Sequence, residues 1–153
     1  MNHEQTEKTV IVTAPAALID DASAATTAID TKDFDYCTID VILGATDIGI
    51  TVLKVQESDD DAVADAYADV TGLVFGTSTD IDGTLSVVPS ATDDNKVFTF
   101  EVDLRGRERY LDVVCTVDDG TVGGYVAIIA RLSRAKEMPI TSAERGRDQI
   151  LRV

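Results

Sequence analysis

Tryptophan is absent from this chain, and histidine occurs once, at His3. Without a core histidine, no Ser-His-Asp or Cys-His arrangement can be assembled from interior residues, and a zinc site of the catalytic type lacks its usual ligand. Paired carboxylates for glycoside hydrolysis are available, but such clefts lean on aromatic platforms, and aromatic residues are only 5% of the chain. Cys37 and Cys115, the two cysteines, lack the CxxC spacing of a redox pair or zinc site. Each falls in a strand-like run, and two core thiols are the reading preferred to a disulfide. There is no P-loop and no GxGxxG. No apolar run approaches the roughly 20 residues that span a bilayer. The polar start, MNHEQTEKTV, lacks the hydrophobic region of a signal peptide, which argues against Sec export. An enzyme is not expected.

Arginine is missing from the first two thirds of the chain. Residues 1–103 hold four Lys, no Arg and 21 acids, for a net charge of −17, whereas residues 104–153 hold eight Arg, one Lys and seven acids, for a net +2. The whole chain carries −15 and is expected to be repelled by nucleic acid and anionic membranes. Arg suits bidentate pairing with carboxylates. The split is read in two ways: ordinary surface arginines on a solvated acidic body, or an Arg-bearing segment docking on an acidic face of a neighbouring copy. The candidates for such contacts are Arg105, Arg107, Arg131, Arg134, Arg145, Arg147 and Arg152.

What is present is a series of short β-patterns. The chain is organised around Arg109–Leu132, read as a long hairpin. Its first arm places Leu111, Val113, Cys115 and Val117 on one face. Its second arm, Tyr125 to Leu132, is apolar on both sides and belongs in the middle of a sheet. Asp118-Asp119-Gly120-Thr121 supplies the turn, and Gly123-Gly124 marks a bulge or close backbone approach. Further strands are expected at Lys8–Thr13, Ala24–Asp30, Tyr36–Leu43, Ile50–Gln56, Gly72–Phe75, Thr84–Val88 and Lys96–Leu104, with Tyr36–Leu43 and Ile50–Gln56 pairing as a hairpin. Ser58–Val70 reads as either a capped helix or a polar loop. The spacing predicts an all-β, antiparallel β-sandwich, jelly-roll-like, over residues 8–132. Residues 1–7 are expected to form a flexible arm and 133–153 an extended, ordered, Arg-containing C-terminal tail. An immunoglobulin-like sandwich is the second choice, weakened by the missing Trp.

Calcium is the one ligand that the composition invites. Asp80-x-Asp82-Gly83, preceded by Ser78, imitates the first half of an EF-hand loop, but Pro89 stands where the bidentate Glu belongs. Asp80 and Asp82 are therefore candidate Ca2+ ligands outside any EF-hand, with Asp59-Asp60-Asp61 plus Asp65, and Asp93-Asp94, as further oxygen clusters. A solvated acidic turn is the plainer alternative.

Three segments carry a likeness: Phe34–Leu53 (FDYCTIDVILGATDIGITVL), Lys54–Gly76 (KVQESDD…DVTGLVFG) and Pro89–Arg134 (PSATDDNKVFTFEVDLRGRERYLDVV…AIIARLSR), followed by an ARLSRA…ERG tail. Together they resemble small structural proteins encoded near the capsid genes of tailed bacteriophages and prophages, the head decoration or cement proteins. The resemblance implies a virion protein, made in the host cytoplasm, that binds the major capsid protein on the outer lattice and clamps neighbouring capsomers as a homo-oligomer, a trimer being favoured. It carries over no site residues. A Ca2+-dependent glycan-binding sandwich and a head–tail or tail component are the alternatives.

Overall fold

Alternation along the strands decides which side chains face the interior. On β8 (Tyr110–Val117), Leu111, Val113, Cys115 and Val117 are buried, as the period-two pattern predicts. On β9 (Gly124–Ala135) the alternating buried residues are Gly124, Val126, Ile128, Ala130 and Leu132, with Ala135 buried at the strand's end. β4 (Phe34–Thr46) contributes Cys37, Ile39, Val41 and Leu43, β5 (Ile50–Ser58) Leu53 and Val55, and β7 (Val97–Asp103) Phe100 and Val102. The remaining strands are β1 (Lys8–Thr13), β2 (Ala22–Ser23), β3 (Ile29–Asp30) and β6 (Ala68–Val74). The computed structural model describes residues 3–141 and 143–151.

Two antiparallel sheets enclose this core: β1-β9-β4-β7 and β2-β8-β5-β6, with β3 also on β8. The order is that of a jelly roll. The chain behaves as a long ribbon whose outgoing half is met by its returning half, β1 with β9, β2 and β3 with β8, β4 with β7, and β5 with β6. Winding the ribbon into a sandwich adds the β4–β9 and β5–β8 pairs.

Two local expectations fail for this reason. The two arms of Arg109–Leu132 do not pair with each other, because β8 and β9 lie in opposite sheets. Nor do β4 and β5 form a hairpin. Each of these strand pairs runs along the same half of the ribbon and crosses between sheets at its connection. β9 does occupy a central position, between β1 and β4. Its second apolar side, however, faces outward, and Tyr125 there is 48% exposed.

Other differences have local causes. Of Ala24–Asp30 only the two ends meet β8, Ala24 N–H donating to Cys115 C=O at 2.8 Å and Ile29–Asp30 pairing as β3, because between them Thr27 N–H turns away to donate to Val12 C=O at 2.9 Å. Thr84–Val88 forms no strand, and a single bridge joins Thr79 to Leu85. Ser58–Val70 opens as a loop rather than a helix. The Asp60 carboxylate there accepts the N–H groups of Val63, Ala64 and Asp65, while Asp61 and Ala62 take left-handed φ values of +58° and +62°.

The described part of the tail lies on its own body. Ile140 N–H donates to Gln5 C=O at 3.0 Å, and Thr9 N–H on β1 donates to Arg145 C=O at 2.9 Å. Gly146 has φ +65°, and a Cβ there would sit 2.0 Å from Thr9 O. The tail thus seals the outer edge of β1, which would otherwise present unpaired backbone groups.

Candidate functional site

The β5–β8 register sets Glu57 opposite Leu111 and Ser58 opposite Tyr110. The turn entering β8 therefore brings Glu108 back to the loop leaving β5. Carboxylate oxygens of Asp59, Asp65 and Glu108 lie within 4.8 Å of one another there. Glu57 adjoins them, accepting from Glu108 N–H at 3.2 Å and from Arg107 Nη1 at 3.2 Å. Glu108 Oε2 is buried, and among the described residues no hydrogen-bond partner reaches it. Burial first, then the charges of Asp65, Asp59 and Glu57, push the Glu108 carboxyl above the ordinary glutamate range. A proton, which would let Glu108 donate to a neighbouring carboxylate, relieves this strain. A hard divalent cation with oxygen ligands would relieve it too.

The loop holding these acids is ordered by its own hydrogen bonds. Ser58, fully buried, donates from Oγ to Asp65 C=O at 2.7 Å and accepts the N–H groups of Asp60 and Ala62. Asp60 spends its carboxylate on the loop backbone, with the Asp65 N–H foremost among the donors that hold its pKa down. The ligand-capable acids are thus Asp59, Asp65 and Glu108, with Asp60 acting as their clasp.

Asp80 and Asp82 are placed differently. Asp80 accepts from Thr84 N–H, Thr84 Oγ1 and Asp82 N–H, at 3.0, 2.9 and 3.0 Å. The Thr84 N–H leads in holding its carboxyl below the usual aspartate range. Asp80 therefore fastens the Thr79–Leu85 turn, which follows β6, whereas the three-carboxylate group forms beside the opposite end of β6.

A third acidic device joins the loops at the β8–β9 crossing. Asp47, in the β4–β5 link, accepts the N–H groups of Gly123, Val122 and Thr121 at 2.7, 2.9 and 3.0 Å. These bonds, that from Gly123 first, hold its carboxyl low. Asp20 accepts the Gly120 N–H at 2.9 Å, so three connections are tied together. The close approach expected at Gly123-Gly124 is present: Gly123 has φ +100°, and a Cβ would meet Ile19 O at 2.3 Å.

The arginines are spread over the molecule. Arg105 forks onto Asp103, and Arg107 faces Glu57. Arg109 grips Asp30 bidentately at 2.8 and 2.7 Å, fixing β3 to β8. Arg131 reaches Asp40 at 3.0 Å, and the Arg134 guanidinium lies 5.2 Å from the centre of the Tyr36 ring. Arg145 is buried, and Arg147 Nε donates to Thr9 Oγ1 at 3.4 Å. Arg152 lies outside the described residues.

Arg131 and Arg134 share the outer face of the β1-β9-β4-β7 sheet with an apolar patch. Register sets Ile11 beside Ile129, then Asp40 and Thr99, and in the next row Ala127, Ile42 and Val97. Ile11 and Val97 are 62% and 56% exposed. Asp40, Glu101 and Asp103 on this face are matched by Arg131, Arg134 and, beyond the end of β7, Arg105. A charge-balanced, partly apolar face on a chain of net charge −15 is a surface that another protein can approach without repulsion.

Sequence reasoning missed Glu108 and Asp47. Glu108 stands between two arginines and reads locally as a neutralised surface residue; only the non-local β5–β8 pairing brings it to Asp59 and Asp65. Asp47 sits in an unremarkable Asp-Ile-Gly link. No protein-family model matches this chain, and no curated protein matches it significantly.

Proposed function

We propose that this protein is a structural module of the capsid-decoration kind, which binds a protein lattice through the outer face of the β1-β9-β4-β7 sheet and performs no chemistry. The observation that carries the reading is the second apolar side of β9, continued by Ile11, Ile42 and Val97 and flanked by balanced Arg–Asp pairs. A central strand that is apolar on both sides, with its outer side only half-covered by the described residues of its own chain, calls for a cover from elsewhere. The sequence resemblance supports a capsid as that cover, and jelly rolls serve in capsid and lectin domains alike, an analogy of fold only. Quantitative mass spectrometry of particles purified from a producing strain tests this. Copies comparable in number to the major capsid protein are expected; a handful per particle would move the protein to the connector or tail, and none would end the reading.

A second reading is favoured by Glu108 Oε2. A Ca2+ ion held by Asp59, Asp65 and Glu108 would make the β5–β6 end of the sandwich a cation-dependent binding site, as a glycan-binding module requires. Calorimetry with Ca2+ tests it, and absence of heat and of any EDTA effect on melting would sink it.

A further inference from the structure

We infer that the C-terminal segment Gln149–Val153 of one copy adds as a strand to the free edge of β7 in a second copy. The inference rests on the assembly reading above and names a contact between copies. Among the described residues, β7 ends its sheet and pairs only with β4. Leu43 N–H donates to Lys96 C=O and Leu104 N–H to Asp35 C=O, so the even-numbered backbone groups of this stretch face β4. Those of Val97, Thr99, Glu101 and Asp103 then point to the open edge. The opposite edge of the same sheet is sealed at Thr9 by the tail's own Arg145 carbonyl. An open edge of this length invites an added strand.

A groove runs along that edge, between β7 and β6, with room for about 360 Å³. Phe75 and Phe100 pack edge-to-face in its floor, their ring centres 5.1 Å apart, beside Leu73. Asp80 and Glu101 stand among its walls. The groove therefore wants an extended, apolar segment with a positive charge. Ile150-Leu151-Arg152-Val153 has that composition, and Leu151 is 97% exposed in its own chain. Strand alternation puts Leu151 and Val153 on one side and Arg152 on the other. Added to β7, such a strand sends Leu151 and Val153 between the sheets toward the two phenylalanines. Arg152 then falls on the outer face, where the Glu101 side chain lies, an opposite-charge cross-strand pair. Each copy gives one segment and accepts one, a head-to-tail contact that closes into a ring when the rotation permits.

Light scattering after size exclusion, on full-length protein, tests the contact with two variants. Leu151→Asp disables the segment. Thr99→Pro with Glu101→Lys disables the edge, proline being tolerated where a strand's N–H faces outward. Wild type is expected at a multiple of the chain mass and each variant at one chain. An equimolar mixture of the two variants is expected to give a two-chain complex, since it holds one intact segment and one intact edge. Should the proline variant fold poorly, Glu101→Lys alone is expected to lose assembly and Glu101→Lys with Arg152→Glu to regain it. Wild-type mass for Leu151→Asp, a mixture that stays at one chain, or a charge swap without rescue overturns the contact. A wild type at one chain over all concentrations also overturns it, while the capsid reading is decided separately by the content of purified particles.

Discussion

Glu108 is the residue whose surroundings fit its charge least well. Its carboxyl is raised above the ordinary value, so its protonated form is the one the fold favours. The stability it contributes is fully present below the unfolded glutamate pKa of about 4.3 and is lost as pH rises through the higher folded value. Glu108→Gln is therefore expected to melt at a higher temperature than wild type at neutral pH, and the advantage to vanish in mild acid. Melting curves at pH 4 and pH 7 check this. The same substitution separates the two readings of the acid cluster: if Ca2+ binds there, Ca2+ raises the melting temperature of wild type and leaves that of Glu108→Gln unchanged. The cysteines make a quieter case. Burial pushes the Cys37 and Cys115 thiols up to about 12 and about 11, and both are free, as core thiols should be.

At the scale of strands, much was legible from alternation. The inner face of β8 follows residue by residue from the period of two, because a half-buried strand reveals its dry side, and β1 follows from a short β-branched run; β9, apolar on both sides, gives no such sign of which side faces inward. Pairing was not legible. A hairpin is the default for neighbouring strands, but a jelly-roll ribbon pairs strands far apart in sequence, and nothing in Asp47-Ile48-Gly49 announces a crossing between sheets. The crossing is held by Asp47 on the backbone of Thr121, Val122 and Gly123, contacts 74 to 76 residues apart in sequence. Asp80 shows a related limit: a carboxylate that binds its own turn has the same local spacing as one that binds an ion. Gly123→Ala tests the crossing. A left-handed backbone costs on the order of 1–3 kcal/mol for a non-glycine residue, and the approach to Ile19 O adds to it. Denaturant melts should show a loss of at least that size.

For the molecule as a whole, the outer and inner sides of one sheet should separate binding from stability. Tyr125 and Ile42 lie on the outer face and Ile128 on the inner. Surface changes away from special features usually stay within about 0.5 kcal/mol, whereas truncating a buried Ile to Ala costs about 2–5 kcal/mol. Tyr125→Asp with Ile42→Asp is expected to fold with nearly unchanged stability and to be missing from purified particles. Ile128→Ala is expected to lose stability while any residual folded protein still binds. Equal retention of the outer-face variant on particles would remove this sheet from the proposal.

The pairing of β1 with β9 has a consequence for how the chain is made. β4, flanked by β7 and β9, acquires both neighbours from sequence that the ribosome delivers later, and β5 likewise waits for β6 and β8. Until β9 clears the exit tunnel, Ile39 and Val41 have a sheet neighbour on one side at most. Long chain segments must close before these contacts repay their entropy, so folding on the order of milliseconds to seconds is expected, and it cannot complete before β9 is delivered. During translation, the nascent chain therefore carries the buried row of β4, from Cys37 to Leu43, unsheltered.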